Sequence, residues 1–291
     1  MLKDYFSMFR PFTLVAVIIG SIAGGLIAIK DTGINQYTII KLAVIVFIMA
    51  VSNASGNVIN EVFDIDIDRI NKPYRSIVSG KVSRDNAISL SVMLFGLAIV
   101  MAFIINLYFG IVVSIIEFFA WNYSAPPIRF KKRFIWSNLS IATPRGALGL
   151  FAVYLGLGGH PYSIDVLIAS IGMGAYVFMG NITKDFPDYE GDKANGIRNF
   201  VTVYGIEKSA KISIPFYYIP FVLITLGAIL KAIPLNEIWV DAILPISIYQ
   251  SYLLYTNPLK KGWTENSITW TLFYLEMGLI LILYALIYYF S

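Results

Sequence analysis

Two short acidic segments hold the side chains best suited to chemistry in this chain of 291 residues, and each contains four of its 18 carboxylates. Within both segments, oxygen-bearing residues recur at helical spacing, so that at about 100° per residue they line one helix face. The first row is Asn60, Asp64 and Asp68, and the second is Asp185, Asp188 and Asp192. Carboxylate and amide oxygens without histidine or thiol favour Mg²⁺, which also binds substrate phosphates. The rows therefore predict a magnesium site for a phosphate-bearing substrate.

Basic residues border both acidic rows. Each row falls at the carboxyl end of a predicted helix, where the helix dipole disfavours negative charge and a divalent metal would compensate it. A second positive layer is available from Arg69, Lys72, Arg75, Lys81 and Lys184. Acids, metal and basic rim together are typical of a diphosphate site. The absence of cysteine excludes thiol catalysis and cysteine-ligated zinc, and the single histidine argues against histidine-rich sites.

The composition places these residues in a membrane protein. Hydrophobic residues make up 57% of the chain and charged residues 14%, with a mean hydropathy of +0.71. Soluble domains carry roughly 45–50% and 25%, respectively. So little charge cannot cover a water-soluble surface, which excludes a soluble enzyme, a nucleic-acid binder and a disordered chain.

We predict an all-α fold, a polytopic bundle of nine transmembrane helices around a central cavity. Windows of about 20 apolar residues indicate bilayer-spanning helices, because lipid offers no partner to an unpaired peptide group. The spans are predicted at residues 11–28, 38–57, 86–107, 108–121, 138–158, 163–182, 209–230, 237–255 and 267–290. Only a short polar break around Asn106 separates the third from the fourth.

The basic residues support the count of spans and indicate their orientation. With the amino terminus inside, 18 of the 22 Lys and Arg residues fall in inner segments, while Lys30, Lys41 and Lys231 lie outside and Arg145 lies within a span. The positive-inside rule then predicts a multi-pass protein of the cell membrane. Its amino terminus and active-site loops are expected in the cytoplasm and its carboxyl terminus outside. The first span is predicted to be a signal anchor rather than a cleaved peptide.

The chain is expected to form one integral-membrane domain, 1–291. The two acidic rows follow the second and sixth spans, four apart in the count. This spacing favours an internal duplication, with halves at about 1–135 and 136–260 followed by a ninth helix.

The residues around both rows resemble the aspartate-rich motifs of the UbiA superfamily of intramembrane prenyltransferases. Residues 56–80 resemble the first motif, N-D-x-x-D-x-x-x-D, and residues 184–198 the second, D-x-x-D-x-x-x-D. Residues 123–129 are similar to the Tyr-Ser-Pro signature that follows the family's fourth helix. Nine helices is also the family's architecture, so the resemblance extends over nearly the whole chain.

The resemblance implies a cavity that opens sideways to lipid and two Mg²⁺ ions that bind the diphosphate of a polyprenyl donor. Asn60, Asp64 and Asp68 would serve one ion, and Asp185, Asp188 and Asp192 the other, with Asp64, Asp68, Asp188 and Asp192 catalytic. The phosphates would be neutralised by Lys72, Arg75, Arg129 and Lys184. Metal ions absorb charge that develops on leaving pyrophosphate, and an apolar cavity keeps the allylic cation from water.

Two features depart from the family pattern. Glu61 stands where the family usually has Asp, which keeps the charge and lengthens the arm. Ser76 and Val78 stand where prolines are common, which predicts a looser loop after the first motif.

Ionisable and polar residues inside the spans extend the predicted site. Glu117, Arg145 and Glu276 are costly there and are expected to face a cavity or to pair, Glu117 with Arg145. The predicted acceptor or cation cavity consists of Asn53, Asn57, Tyr123, Glu117 and Arg145. The two asparagines either extend a polar wall or bond between helices. Further aromatic candidates to attract the cation are Phe118, Phe119, Trp121, Tyr176 and Phe178.

Two classes of acceptor compete for the predicted polyprenyl, specifically geranylgeranyl, group. The run from Asp68 to Pro73 and the compact length resemble the enzymes that prenylate geranylgeranylglyceryl phosphate, or chlorophyll synthases, more than hydroxybenzoate prenyltransferases. We prefer geranylgeranylglyceryl phosphate in ether-lipid synthesis, with an aromatic acceptor of quinone or chlorophyll-type synthesis as the alternative. The expected partners are thus the prenyl diphosphate, a lipophilic acceptor and membrane lipid, with no nucleic acid and no obligate protein. An ion-coupled transporter is the remote alternative, although its charges would collect near the bilayer midplane rather than at one face.

Overall fold

In the computed structural model, which describes residues 2–261 and 267–291, the chain folds into helices, as the sequence predicts. The described residues form fifteen α-helices joined by short loops and by 3₁₀ or π segments. The α-helices are Leu2–Met8 (α1), Pro11–Thr32 (α2), Gln36–Phe63 (α3), Ile65–Asn71 (α4), Arg84–Ile105 (α5), Leu107–Ser124 (α6), Phe134–Ala142 (α7), Leu148–Gly156 (α8), Ile164–Gly180 (α9), Tyr189–Ala194 (α10), Phe200–Tyr204 (α11), Ile206–Ser213 (α12), Ile219–Ile229 (α13), Leu244–Thr256 (α14) and Ile268–Phe290 (α15). The 3₁₀ segments are Phe130–Lys132, Asn181–Asp185, Ile214–Tyr218 and Leu235–Ile243, and the π segment is Thr143–Ala147.

Eight helical segments of the described residues are long and apolar enough to cross a membrane. They are Pro11–Thr32, Gln36–Phe63, Arg84–Ile105, Leu107–Ser124, Phe134–Gly156, Ile164–Asp185, Ile206–Ile229 and Ile268–Phe290. The remaining predicted span, 237–255, consists of the 3₁₀ segment Leu235–Ile243 running directly into α14. At about 2.0 Å per 3₁₀ residue and 1.5 Å per α residue, the two together extend roughly 37 Å, more than the ~30 Å hydrocarbon core.

Asn106 divides the third span from the fourth. It ends α5 in an extended conformation, and its side chain accepts a hydrogen bond from the Phe109 amide as the N-cap of α6. The side-chain amide also donates to the Leu155 and Gly156 carbonyls at 3.0 Å each. One asparagine therefore separates two apolar helices and joins them to α8.

The spans close into a bundle because the last helix returns to the first. Helix α15 packs on α2, α2 packs on α3 and α8, and α3 packs on α5 and α6. Small residues permit close approach: a Cβ on Gly24 would lie 2.9 Å from the Leu150 carbonyl oxygen, and one on Gly172 would lie 3.0 Å from the Pro220 Cα. The bundle leaves an interior space at the end where the acidic rows lie.

Neither acidic row lies on one uninterrupted helix, which corrects the prediction of a continuous helix face. Asp64 ends α3 with φ −108° and ψ 12°, and α4 starts at the next residue. In the second row, α9 passes into the 3₁₀ segment at Asn181, and Asp188 precedes α10. Backbone hydrogen bonds still connect Asp68 to Asp64 and Asp192 to Asp188, so a helical turn survives within each row.

Candidate active site

The bundle encloses a cavity of about 1010 Å³, and both acidic rows lie on its wall. The wall includes residues of α1 to α4, the loop after α4, α6 to α8, α10 and α15, together with the π segment and the 3₁₀ segments Phe130–Lys132 and Asn181–Asp185. All three residues of the first row and all three of the second contact this space. Segments about 120 residues apart in sequence therefore share one pocket.

The first row is held by a chain of hydrogen bonds. The Asn60 amide donates to Asp64 Oδ2 at 2.6 Å and to Ser124 Oγ at 2.8 Å. Its carbonyl oxygen accepts from the Arg10 guanidinium at 2.6 Å. Asp68 is buried and accepts from Arg75 Nη1, also at 2.6 Å. Burial raises the pKa of Asp68 despite this neighbour, so its charge depends on positive partners.

The second row is similarly compensated. Asp185 is buried and pairs with Lys184 at 2.5 Å, and the Lys184 ammonium also donates to the Tyr123 hydroxyl at 3.2 Å. Asp192 accepts from the Asn199 amide at 3.2 Å. Burial and the charges of neighbouring carboxylates raise the pKa of Asp192 to about 7. Among the described residues, Asp192 is thus the acid of the second row that has no ion pair.

Lys72 links the two rows directly. Its ammonium lies 2.8 Å from both carboxylate oxygens of Asp188, although it follows the first motif and Asp188 belongs to the second. The Asn71 amide donates to the Asp188 carbonyl at 3.3 Å. A Cβ on Gly191 would lie 2.2 Å from the Asn71 side chain, so glycine permits this close approach. The convergence of the two motifs is thus visible as an ion pair.

Two cations that contact the first acidic row were not among the predicted diphosphate ligands. Lys131 is buried, lines the cavity and forms an ion pair with Asp64. Arg10 reaches the first row through Asn60, and burial, reinforced by nearby Arg75, lowers the pKa of Arg10 to about 9. The only sequence signal for either is a basic residue at an inner span end, a property shared with many others.

The predicted diphosphate ligands do not all face the cavity. Lys72, Arg75 and Lys184 line it, whereas Arg129 does not. The Arg129 guanidinium donates instead to the Phe63 carbonyl at 2.9 Å, where α3 ends. Arg129 thus satisfies a helix terminus, and Lys131, two residues later, occupies the position beside the acids.

The residues present fit a divalent metal. Within the described part of the chain, no three carboxylates lie close enough to share an ion as they stand. Four are instead paired with lysine or arginine: Asp64, Asp68, Asp185 and Asp188. Those cations supply the positive charge that the acids require, and hard oxygens held on one wall are the donor set of Mg²⁺. The raised pKa of Asp192 points the same way, because a cation would stabilise its charged form.

The predicted acceptor residues separate into two groups. Asn53, Asn57, Tyr123 and Arg145 line the cavity. Both asparagines also bond between helices, since each donates to Thr13 Oγ1 at 3.0 Å. The sequence left these two roles open, and the structure shows both.

The predicted pairing of Glu117 with Arg145 is wrong. Glu117 is buried away from the cavity lining and accepts from Ser55 Oγ at 3.1 Å, within the α3–α6 contact. Arg145 donates to the Tyr274 hydroxyl at 3.0 Å. Glu276, the third ionisable residue of the spans, accepts from Tyr176 at 3.0 Å and also from Ser247. Serine and tyrosine hydroxyl groups on neighbouring helices satisfy these carboxylates, so neither needs a cation.

The far part of the cavity is apolar. It is lined by Ala16, Val17, Gly20, Met49, Ile116, Leu150, Met277 and Leu281. Of the aromatic residues proposed from the sequence, Tyr123 lines the wall, which also includes Phe12, Tyr74, Trp270 and Tyr274. Trp270 and Tyr274 belong to α15, which is far in sequence from both motifs, so the motifs gave no reason to predict them. The acids thus share a pocket with an apolar lining that suits a hydrocarbon chain.

Hydrogen bonds hold the loop after the first motif in place, which corrects the prediction of a looser loop. Buried Glu61 accepts the Ile77 amide at 3.0 Å, a reach that its longer arm provides. Ser76, in place of a proline, bonds to the Asp4 carbonyl at 3.0 Å and to Ser7 Oγ at 2.9 Å. The two departures from the family pattern therefore join the loop to α3 and α1.

Known proteins resemble this chain over most of its length. The model of the UbiA prenyltransferase family matches residues 17–275. A digeranylgeranylglyceryl phosphate synthase of Methanocaldococcus jannaschii is 32% identical over 268 residues, covering 89% of this chain and 88% of that relative. The solved structure of a digeranylgeranylglyceryl phosphate synthase has a TM-score of 0.68 and 29% identity, covering 99% of this chain and 97% of the other. A UbiA homologue from Archaeoglobus fulgidus, bound to GPP and Mg²⁺, has a TM-score of 0.74 at 21% identity, covering 99% and 100%.

Proposed function

This chain belongs to the UbiA prenyltransferase family, and we propose that it transfers a geranylgeranyl group from its diphosphate to geranylgeranylglyceryl phosphate. In this reaction the bond between prenyl C1 and the diphosphate oxygen breaks. An ether bond from C1 to the glycerol oxygen forms, and the hydroxyl proton and diphosphate leave. Membership makes the chain a multi-pass membrane prenyltransferase rather than a transporter. The acceptor is proposed from relatives named for this product, including synthases at 32% identity.

The observation that carries the proposal is the ion pair between Lys72 and Asp188 on a shared cavity wall. It places the end of the first motif against the second, so that one diphosphate can contact both. In the proposed complex the first row would hold one Mg²⁺ ion and the second row another. When bound, the metal accepts the negative charge that develops on the departing diphosphate.

The basic side chains of the wall neutralise the rest of the diphosphate charge. Lys72, Arg75, Lys131 and Lys184 are each paired with a carboxylate of the rows, so they can turn from that partner to phosphate oxygens without crossing the cavity. Because these cations are already held beside the position of developing charge, they need only a small rearrangement to reach it. Arg129, which points to the end of α3, takes no part.

The apolar end of the cavity holds the prenyl chain and excludes water. An allylic cation that meets water is lost as an alcohol, so walls of aliphatic and aromatic side chains protect it until the acceptor attacks. Tyr74, Tyr123 and Tyr274 line the cavity, and aromatic faces attract cations by about 0.5–2 kcal/mol. We propose that the acids lie at the cytoplasmic side, where the basic residues concentrate, with the carboxyl terminus outside.

A panel of acceptors tests the proposal. Purified protein in lipid nanodiscs would receive labelled geranylgeranyl diphosphate and Mg²⁺ with geranylgeranylglyceryl phosphate, 4-hydroxybenzoate or no acceptor. The proposal predicts an acid-stable diether product with the first acceptor and only background product with the second. Prenylation of the aromatic ring instead would assign the chain to quinone-type synthesis, and no product with either would refute both acceptor classes.

A further inference from the structure

Arg145 occupies a position in the membrane that calls for an anion. It lies near the middle of the span Phe134–Gly156, and its side chain is exposed to the cavity. A guanidinium at this depth is costly unless it faces a polar cavity or a partner. Tyr274 accepts one hydrogen bond from it, and no carboxylate of residues 2–261 or 267–291 pairs with it. A neutral hydroxyl leaves most of its donors and all of its charge uncompensated.

The local backbone fixes this arginine on the cavity wall. Arg145 belongs to the π segment Thr143–Ala147, whose wider turn shifts the helix phase. The next residue, Gly146, faces α9 so closely that a Cβ would lie 2.5 Å from the Met173 carbonyl oxygen. Because Gly146 packs against α9, the neighbouring Arg145 projects from a different side of the segment, toward the cavity. The packing contact and the cavity-lining side chain therefore occupy adjacent positions.

A second arginine on the same wall also forms no ion pair within residues 2–261 and 267–291. Arg10 donates to the neutral Asn60 amide at 2.6 Å. Asp68 and Glu61 attract its charge, and Arg145 is close enough to repel it. By contrast, Arg75, Lys72, Lys131 and Lys184 each pair with an acid of the rows. Among the described residues of the wall, Arg10 and Arg145 are therefore two cations without an ion pair, and Arg10 lies beside the first row.

We propose that Arg145, supported by Arg10 and Tyr274, binds the phosphate group of the acceptor. The inference rests on the proposed function, in which the acceptor is a phosphate monoester of a prenylated glycerol. In that molecule the phosphate is attached one carbon away from the carbon bearing the attacking hydroxyl. An anion site that adjoins the first acidic row through Arg10 and Asn60 therefore brings the hydroxyl next to the donor's C1. Arg145 is a determinant of acceptor specificity in this account.

The test separates acceptor binding from donor binding. Initial rates would be measured for the wild type, Arg145→Gln and Arg145→Lys with geranylgeranylglyceryl phosphate and with its neutral analogue geranylgeranylglycerol. Binding of a non-reactive geranylgeranyl thiodiphosphate with Mg²⁺ would be measured in parallel. Arg133→Gln is the matched control, because Arg133 is exposed, lies outside the cavity and bonds to the Ile128 carbonyl.

Loss of a charge-assisted contact predicts that Arg145→Gln raises the KM for the phosphate acceptor about tenfold or more, with kcat changed less. Donor affinity and the rate with the neutral analogue should stay at wild-type values, so that preference for the phosphate disappears. Arg145→Lys should recover part of it, and Arg133→Gln should behave as wild type. An unchanged KM, an equal loss with both acceptors, or weakened donor binding would overturn the inference.

The wild-type rates distinguish this failure from failure of the proposed function. If the wild type makes the diether and the variant retains its KM, the function stands and the anion site is refuted. If the wild type binds the donor analogue but uses neither glyceryl acceptor, the proposed acceptor and the anion site fall together.

Discussion

At the scale of single residues, the acids were visible in the sequence, whereas several of their partners were not. Helical spacing within a few residues identifies Asp64 and Asp188, because a local periodicity can be recognised from the sequence alone. Lys131 and Arg10 reach the first row only through the packing of other helices, and no local pattern distinguishes Lys131 from Arg129. The sequence therefore predicts the negative half of the site better than the positive half.

The acids themselves give the first prediction. Asp64→Asn and Asp188→Asn should each lower kcat at least about a hundredfold, because an amide cannot supply the charge that a metal and a diphosphate require. Asp66→Asn is the control within the same motif, since Asp66 is exposed and bonds only to exposed Arg69 among the contacts described. It should retain near-normal rates. A near-normal rate for either cavity variant, with the fold intact by thermal unfolding, would show that its carboxylate is dispensable.

A comparison of two basic residues gives the second prediction. Lys131→Gln should weaken binding of a prenyl diphosphate analogue about tenfold in the presence of Mg²⁺, because a buried cation beside Asp64 is lost. Arg129→Gln should leave that dissociation constant unchanged, since Arg129 points to the Phe63 carbonyl. Isothermal titration measures both. The reverse order of effects would restore the role that the sequence assigned to Arg129.

At the scale of elements, the number and order of spans follow from hydropathy, but their irregularities do not. Apolar length predicts where the chain crosses the bilayer. The break at Asp64, the 3₁₀ turn before Asp185 and the π segment around Arg145 depend on contacts with other helices. These departures from α-helical geometry also set the directions of the polar side chains. The features that are hardest to predict are therefore the ones closest to the chemistry.

The π segment gives a third prediction. Gly146→Ala would place a methyl group against the α9 backbone, and overpacking of this kind costs about 1–3 kcal/mol. We expect a lower melting temperature and a higher KM for the acceptor, because Arg145 moves with the segment. Gly96→Ala is the matched control: nothing lies within 4 Å of its added Cβ, so the melting temperature should hold or rise slightly. Equal behaviour of the two variants would refute the tight contact with α9.

At the scale of the whole molecule, the orientation in the membrane remains a prediction from charge. The inner segments contain most of the Lys and Arg residues, and the acidic rows lie among them. The internal duplication also remains a prediction, although each acidic row lies at the carboxyl end of a long helix. Orientation determines which side of the membrane supplies the prenyl diphosphate, so it has a direct consequence for function.

The absence of cysteine makes the orientation easy to measure. Glu190→Cys and Tyr162→Cys introduce single thiols at exposed positions near the two ends of the bundle. In intact cells, a membrane-impermeant maleimide should label Tyr162→Cys, and Glu190→Cys should be labelled only after permeabilisation. The opposite pattern would place the acidic rows outside and contradict the positive-inside assignment.

Measurement of donor binding shows whether both acidic rows hold one metal-bound prenyl diphosphate. Titration calorimetry would follow geranylgeranyl thiodiphosphate binding to the wild type, Asp64→Asn and Asp188→Asn, with Mg²⁺ and with EDTA. The account predicts tight binding only for the wild type with Mg²⁺, and a loss of about tenfold or more in affinity in each variant. Wild-type affinity without metal, or in either variant, would contradict it.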